Sequence, residues 1–152
     1  HRASPLSSLA LYDWAQEVYD QGDFVTALAL ARRGGAAHPE SIGASNCNAL
    51  ASRITAKELD VRTESVIAPA KPSSLVIQYR NITTLHVRAV AADFSSYLSG
   101  KDGRNVFWSS DEYIHRILTR PPTATWTAAL KPTDDYKSTS TLVTTPALKP
   151  GV

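Results

Sequence analysis

The spacing of apolar residues changes period about a third of the way along the chain. In the first third, Leu9, Leu11, Trp14, Ala15 and Val18 recur at three- and four-residue intervals, which predicts a helix from about Leu6 to Gln21. Gly22 breaks that pattern, and Asp23 is a good N-cap for a second helix over Phe24–Arg33. Gly34-Gly35 is read as the end of that helix and His38-Pro39 as a fixed turn. A third helix is expected from about Glu40 to Lys57, with Ile42, Cys47, Leu50 and Ile54 facing inward.

From Leu59 onward the period is two. Leu59–Ser65 alternates as a first strand, and Ala68–Pro72 is a proline-punctuated connection. Leu75, Ile77 and Tyr79 share one face of the next strand, with Val76 and Gln78 opposite. After a tight Arg80-Asn81 turn, Leu85, Val87 and Ala89 face one way and His86 and Arg88 the other, so a hairpin with one buried and one wet face is expected. Phe94–Asn105 is polar and contains glycine, the composition of a long surface loop. Ser109 and Glu112 form a capping box for a short helix, Ser110–Leu118, stopped by Pro121-Pro122. Two more strands follow, Thr123–Leu130 with Ala124, Trp126, Ala128 and Leu130 aligned, and Thr139–Thr145. Asp134-Asp135 lies in the connection between them.

The expected class is therefore α+β: a helical segment over 1–57 followed by an antiparallel β-sandwich over 58–152. No Gly/Ser/Pro linker separates Ile54 from the first strand, and so short a connection favours docking of the two parts over free tumbling.

Composition adds mainly exclusions. The 152 residues are 43% apolar and 20% charged, ordinary for a soluble globular protein. The net charge is only +2, and the nearest approach to a basic run, Arg32-Arg33, sits where a helix end favours cations. Nucleic acid is thus not an expected partner. No stretch approaches the ~20 apolar residues that span a bilayer. The chain has no Met and opens on His1-Arg2, so it is read as a processed or engineered fragment whose signal segment has been removed. The single Cys47 cannot form an internal disulfide and leaves the redox compartment undecided.

No catalytic, cofactor or metal site is expected. The histidines His1, His38, His86 and His115 fall on separate elements, and His86 is on the outward face of its strand. The serines cluster in turns and caps, no G-x-S-x-G elbow occurs, and Cys47 is on the apolar side of its helix. No glycine-rich phosphate cradle follows a strand. Adjacent Asp134 and Asp135 point opposite ways in an extended segment and read as a turn rather than a carboxylate pair. Asn81-Ile82-Thr83 matches a glycosylation sequon, but a hairpin turn with Asn is the better account. Tyr79, Arg80 and Arg88 are the candidate interaction surface. They could take an acidic ligand, although such residues more often stack and pair across a sheet or brace a neighbouring domain. Trp14 and Trp126 are expected in the core, and the place of Trp108 is open.

Two resemblances rest on these residues. Leu11, Trp14, Ala15 and Val18, the Gly22-Asp23-Phe24 turn, Ala27-Leu28, Ala31 and Pro39 resemble a tetratricopeptide-type repeat, in which small Ala15 and Ala27 let helices approach closely. Stacked arrays require three or more repeats and there is room here for about one and a half, so a helical cap is expected. Val76–Val90 (with Y-R-N-I-x-x-L-x-V-R), Trp126–Thr141 (with W-x-x-x-L-x-P-x-x-D-Y) and Pro146–Gly151 resemble the start of bacterial alpha-2-macroglobulin-like proteins, large cell-envelope protease traps. The resemblance covers nearly all of the chain. It implies a fibronectin-like macroglobulin domain whose last strand would begin around Val152, and an edge there open to strand addition. It also implies a non-catalytic structural role, periplasmic or cell-surface placement, and partnership with downstream domains and, through the parent, with proteases. The family's C-x-E-Q thioester motif is absent, since Asn48-Ala49-Leu50 follows Cys47, and no bait-like segment stands out. The rival expectation is a peptide- or protein-binding module of an envelope complex, with an enzyme a distant third.

Overall fold

The computed structural model describes residues 4–63, 70–91, 115 and 118–148. Three helices, α1 (Leu6–Asp20), α2 (Phe24–Ala37) and α3 (Ile42–Thr55), precede the strands β1 (Glu58–Arg62), β2 (Ser74–Arg80), β3 (Thr84–Ala89), β4 (Ala124–Ala129) and β5 (Thr139–Thr144). The strands form two small antiparallel sheets, one in the order β1-β2-β5 and one pairing β3 with β4. The fold is α+β. It divides into two compact units, one comprising His1–Asp60, Gln78–Ile82 and Lys131–Ser140, the other Val61–Ile77, Thr83–Leu130 and Thr141–Val152. The segments 78–82 and 131–140 therefore belong with the helices, across the boundary expected at residue 57.

In the helical unit, Ala15, Ala27, Leu28, Leu30, Ala31, Leu50 and Ile54 form the buried core. On α1 the inward arc is Ser8, Leu11, Tyr12, Ala15, Val18 and Tyr19, with Ala15 at its centre and fully buried. Trp14 lies one residue, about 100°, round the helix from that centre. It is 57% exposed rather than part of the core. The same geometry corrects Ile42: the face of α3 turned inward carries Gly43, Ala44, Cys47, Leu50 and Ile54, and Ile42 on the first turn is 80% exposed. Asp23 caps α2 as expected, its carboxylate accepting from the Thr26 N–H at 3.0 Å. Hydrogen bonds from Thr26 hold that carboxyl below the usual range. Ser41 caps α3 through the Ala44 N–H at 3.1 Å, and its hydroxyl donates to the His38 carbonyl at 2.7 Å.

The glycine pair Gly34-Gly35 does not end α2, which continues to Ala37. Pro39 stops it instead, by restricting the residue before it and by lacking an N–H. Both glycines are buried, and what they provide is close approach: a Cβ on Gly34 would overlap Cys47 Sγ and one on Gly35 would overlap the Asn48 amide.

The expected pairing of β2 with β3 is not formed. A strand has two edges, and those of β2 are taken by β1 and β5, leaving β3 to pair with β4 in register Leu85↔Ala128 and Val87↔Trp126. The alternation along these strands does follow the expected faces. Ile77, Tyr79 and Leu85 are buried, and Val76, Gln78, His86 and Arg88 are exposed. Beyond β2 and β5, the Thr145 N–H donates to the Ser73 carbonyl at 2.8 Å and the Ala70 N–H to Leu148 at 3.0 Å. β1 is exposed along its whole length, with Leu59 and Val61 each 47% accessible. The expected loop Phe94–Asn105, the capping box at Ser109, Trp108 and the start of a last strand at Val152 lie outside the described residues. Of the helix expected over Ser110–Leu118, only His115 and Leu118 are described, and both are helical.

Candidate functional site

Tyr79 and Arg80 end β2 inside the helical unit, and both are buried, at 4% and 9% exposure. Alternation turns Tyr79 inward with Ile77, and its hydroxyl donates to the Lys131 carbonyl at 2.7 Å. The guanidinium of Arg80 reaches the end of α3, donating to the Arg53 carbonyl at 3.2 Å, and forms an ion pair with Glu58 at the start of β1. Next to it Asn81 adopts the left-handed conformation (φ 58°), which asparagine tolerates better than most side chains. Its amide then donates to the carbonyls of both Ile54 and Ala56, each at 2.9 Å.

This arrangement answers a local need. The last carbonyls of a helix have no partner within it, and here an Arg-Asn dipeptide from a distant strand end supplies donors to the carbonyls of Arg53, Ile54 and Ala56. Asn81 thus forms a turn, as expected, but one that clasps a helix end rather than closing a hairpin. Arg88 belongs to the other unit and is exposed. Its guanidinium donates to the carbonyls of Leu118 and Arg120 at 3.3 and 3.4 Å, and Arg120 in turn donates to Ala91 at 3.5 Å. Of the three residues of the expected interaction surface, Tyr79 and Arg80 belong to one unit and Arg88 to the other. Tyr79 and Arg80 are committed to internal bonds, and Arg88 braces a chain segment.

Cys47 is fully buried, as its place on the apolar helix face predicts, and its Sγ lies 3.6 Å from the Ser8 carbonyl as a weak donor. Burial pushes the thiol pKa up, the reverse of an activated nucleophile. In the folded chain we expect no reaction with Ellman's reagent over the time in which a guanidinium-unfolded sample reacts completely. Rapid labelling of the native chain would show that α2 and α3 open readily. Asp134-Asp135 form a turn, with Asp135 accepting from the Lys137 N–H at 3.0 Å. Trp126 is half-buried.

Concavities open on the helical unit among the described residues. One of about 290 Å³ is lined by Pro5, His38, Pro39, Glu40 and Ser41. Another, of about 190 Å³, lies between α1 and α3 and is lined by Tyr12, Gln16, Asn46, Ala49, Leu50 and Arg53. The sequence does show the residues of this second cleft, since 12 and 16 on α1 and 46, 49, 50 and 53 on α3 have helical spacing. Without the α1–α3 pairing, however, they read only as two solvated faces. Among the described residues no group of three or more His, Cys, Asp and Glu is placed to hold a metal, and no helix is long and apolar enough to cross a membrane. No protein-family model, curated protein or solved structure matches this chain.

Proposed function

We propose that the chain is a non-catalytic, architectural portion of a large bacterial cell-envelope protein of the alpha-2-macroglobulin type, with tetratricopeptide-like helices leading into a macroglobulin-like sandwich. The observation that supports this reading is the use made of the Tyr79-Arg80-Asn81 segment. These residues carry much of the resemblance, and the Tyr79 hydroxyl, one guanidinium nitrogen of Arg80 and the Asn81 amide fasten strand and helix ends. In this reading the partners are downstream domains of the parent, which acts on proteases at the periplasmic or cell-surface location of the family.

Two experiments test it. The parent reading frame beyond Val152 is expected to encode further sandwich domains, and a stop codon shortly after that residue would sink the macroglobulin reading. Incubated with a panel of proteases, the 152-residue chain is expected to leave their activity on large and small substrates unchanged. Stoichiometric protection of large substrates alone would mean that the trapping machinery is already present in this piece.

A further inference from the structure

The Asn81-Ile82-Thr83 sequence has the Asn-X-Thr form of an N-glycosylation acceptor, and the structure sets that acceptor against the end of α3. A side-chain amide nitrogen carries two hydrogens. In Asn81 two carbonyls take them, those of Ile54 and Ala56, each at 2.9 Å. The backbone of the acceptor is held as well. Asn81 is left-handed at φ 58°, and the Thr83 carbonyl accepts from the Leu130 N–H at 2.8 Å. Attachment of a sugar forms a bond between Asn81 Nδ2 and the sugar C1. The bond from C1 to a lipid pyrophosphate breaks, the pyrophosphate leaves with the electron pair, and one amide hydrogen departs as a proton. One donor then remains for two carbonyls. A bonded carbon sits about 1.45 Å from its nitrogen, so a sugar carbon in place of either hydrogen would come far closer to a carbonyl oxygen than the roughly 3.3 Å at which unbonded carbon and oxygen meet.

We propose that Asn81 is a folding-dependent glycosylation acceptor. An oligosaccharyltransferase modifies it only while the end of α3 is open, and a glycan once attached keeps the Asn81 amide from clasping that end. Folding and modification compete for the same nitrogen, and the glycan donor is a lipid-pyrophosphate-linked oligosaccharide. The inference stands on the hydrogen bonds of Asn81 alone and is independent of the macroglobulin reading.

The test incubates three purified full chains with a detergent-solubilised oligosaccharyltransferase that accepts Asn-X-Thr, together with its lipid-linked oligosaccharide. The chains are the parent, Ile54→Asp and Thr83→Ala. Ile54 is fully buried, so a carboxylate there opens the helical core while leaving the acceptor sequence intact. Thr83→Ala removes the acceptor sequence and keeps Asn81 with its bonds. Glycan attachment is read as the gain in mass. Ile54→Asp should be modified several-fold faster than the parent, and Thr83→Ala not at all. The fraction of parent that is modified on long incubation should melt about 5 °C or more below Thr83→Ala, the shift expected from the net loss of one hydrogen bond or more. Equal rates for the parent and Ile54→Asp would show that folding does not close the acceptor. A modified parent that melts together with Thr83→Ala would show that the clasp tolerates a glycan. Absence of modification in all three chains would show that Asn81 is not an acceptor. Each of these results overturns the proposal.

Discussion

Replacing Gly43 by alanine is expected to destabilise the helical unit by about 2 kcal/mol or more, although alanine is the better helix former. Gly43 lies on the first turn of α3, where that helix crosses the backbone of α1. A Cβ added there would stand 2.6 Å from the Ser8 carbonyl carbon and 2.8 Å from Leu9 Cα, and would overlap the Leu9 nitrogen. Optimal carbon contacts are about 3.5–4.0 Å, so one helix must move. Alanine's intrinsic advantage in a helix is about 0.5–1 kcal/mol, whereas overpacking typically costs about 1–3 kcal/mol and more where backbone must shift. The clash therefore wins. For a unit of this size the melting temperature should fall by roughly 10 °C. The other buried glycines provide a graded control. Gly34→Ala meets Cys47 Sγ and, at 3.1 Å, Leu11 Cβ, so it should destabilise less and recover when combined with Cys47→Ala. Gly35→Ala meets only the amide of the exposed Asn48, which can swing aside, and should be neutral or slightly stabilising. Thermal melts that rank the three otherwise, or a Gly43→Ala chain as stable as the parent, would mean that α1 and α3 do not cross this closely.

These glycines show where the sequence was readable and where it was not. Ala15, Leu50 and Ile54 announce themselves by periodicity because burial of one helix face imposes a spacing on the chain. A glycine late in a helix has two physical uses, ending it in a left-handed conformation or letting another backbone come close. Only the neighbour across the contact tells them apart. The same holds for the strands. Alternation placed Ile77, Tyr79, Leu85 and Val87 on the correct faces, since it is a property of each strand by itself. The partner of β2 is set by residues far along the chain, Ser73 and Thr145 being separated by 72 positions, and no local signal carries that information. An Asn in a short turn between two alternating runs then resembles a hairpin, although the edge that a hairpin needs is already occupied by β5. For the candidate site the limit is more severe. Tyr79 and Arg80 were conspicuous as side chains, but their partners are the backbone carbonyls of Lys131 and Arg53, and a carbonyl leaves no mark in a sequence.

Substitution of Asn81 by alanine is expected to cost about 3 kcal/mol, an effect comparable to emptying part of a core, at a residue that contributes no apolar burial. Two hydrogen bonds to the carbonyls of Ile54 and Ala56 would be lost, each contributing about 0.5–1.5 kcal/mol net. Alanine would also have to hold the φ of 58° that Asn81 adopts, at about 1–2 kcal/mol. Glycine separates the two causes. Asn81→Gly loses both bonds but accepts the backbone conformation freely, so it should be about 1–2 kcal/mol more stable than the alanine variant and still below the parent. Asn81→Asp should be the worst of the three above the carboxyl's pKa, because an ionised carboxylate has no hydrogen to donate and would face two carbonyl oxygens. Lowering the pH should recover part of that loss, since the protonated acid regains one donor. Arg80 gives a contrasting case at the same joint. Its partner Glu58 has a side chain 59% exposed and can be rehydrated, so Arg80→Met should cost chiefly the bond to the Arg53 carbonyl, about 1 kcal/mol. Denaturant unfolding of the four variants decides the matter. If Asn81→Ala unfolds at the same midpoint as the parent, the Arg-Asn clasp is not what terminates α3, and the support that it lends to an architectural role for the Tyr79–Asn81 motif falls with it.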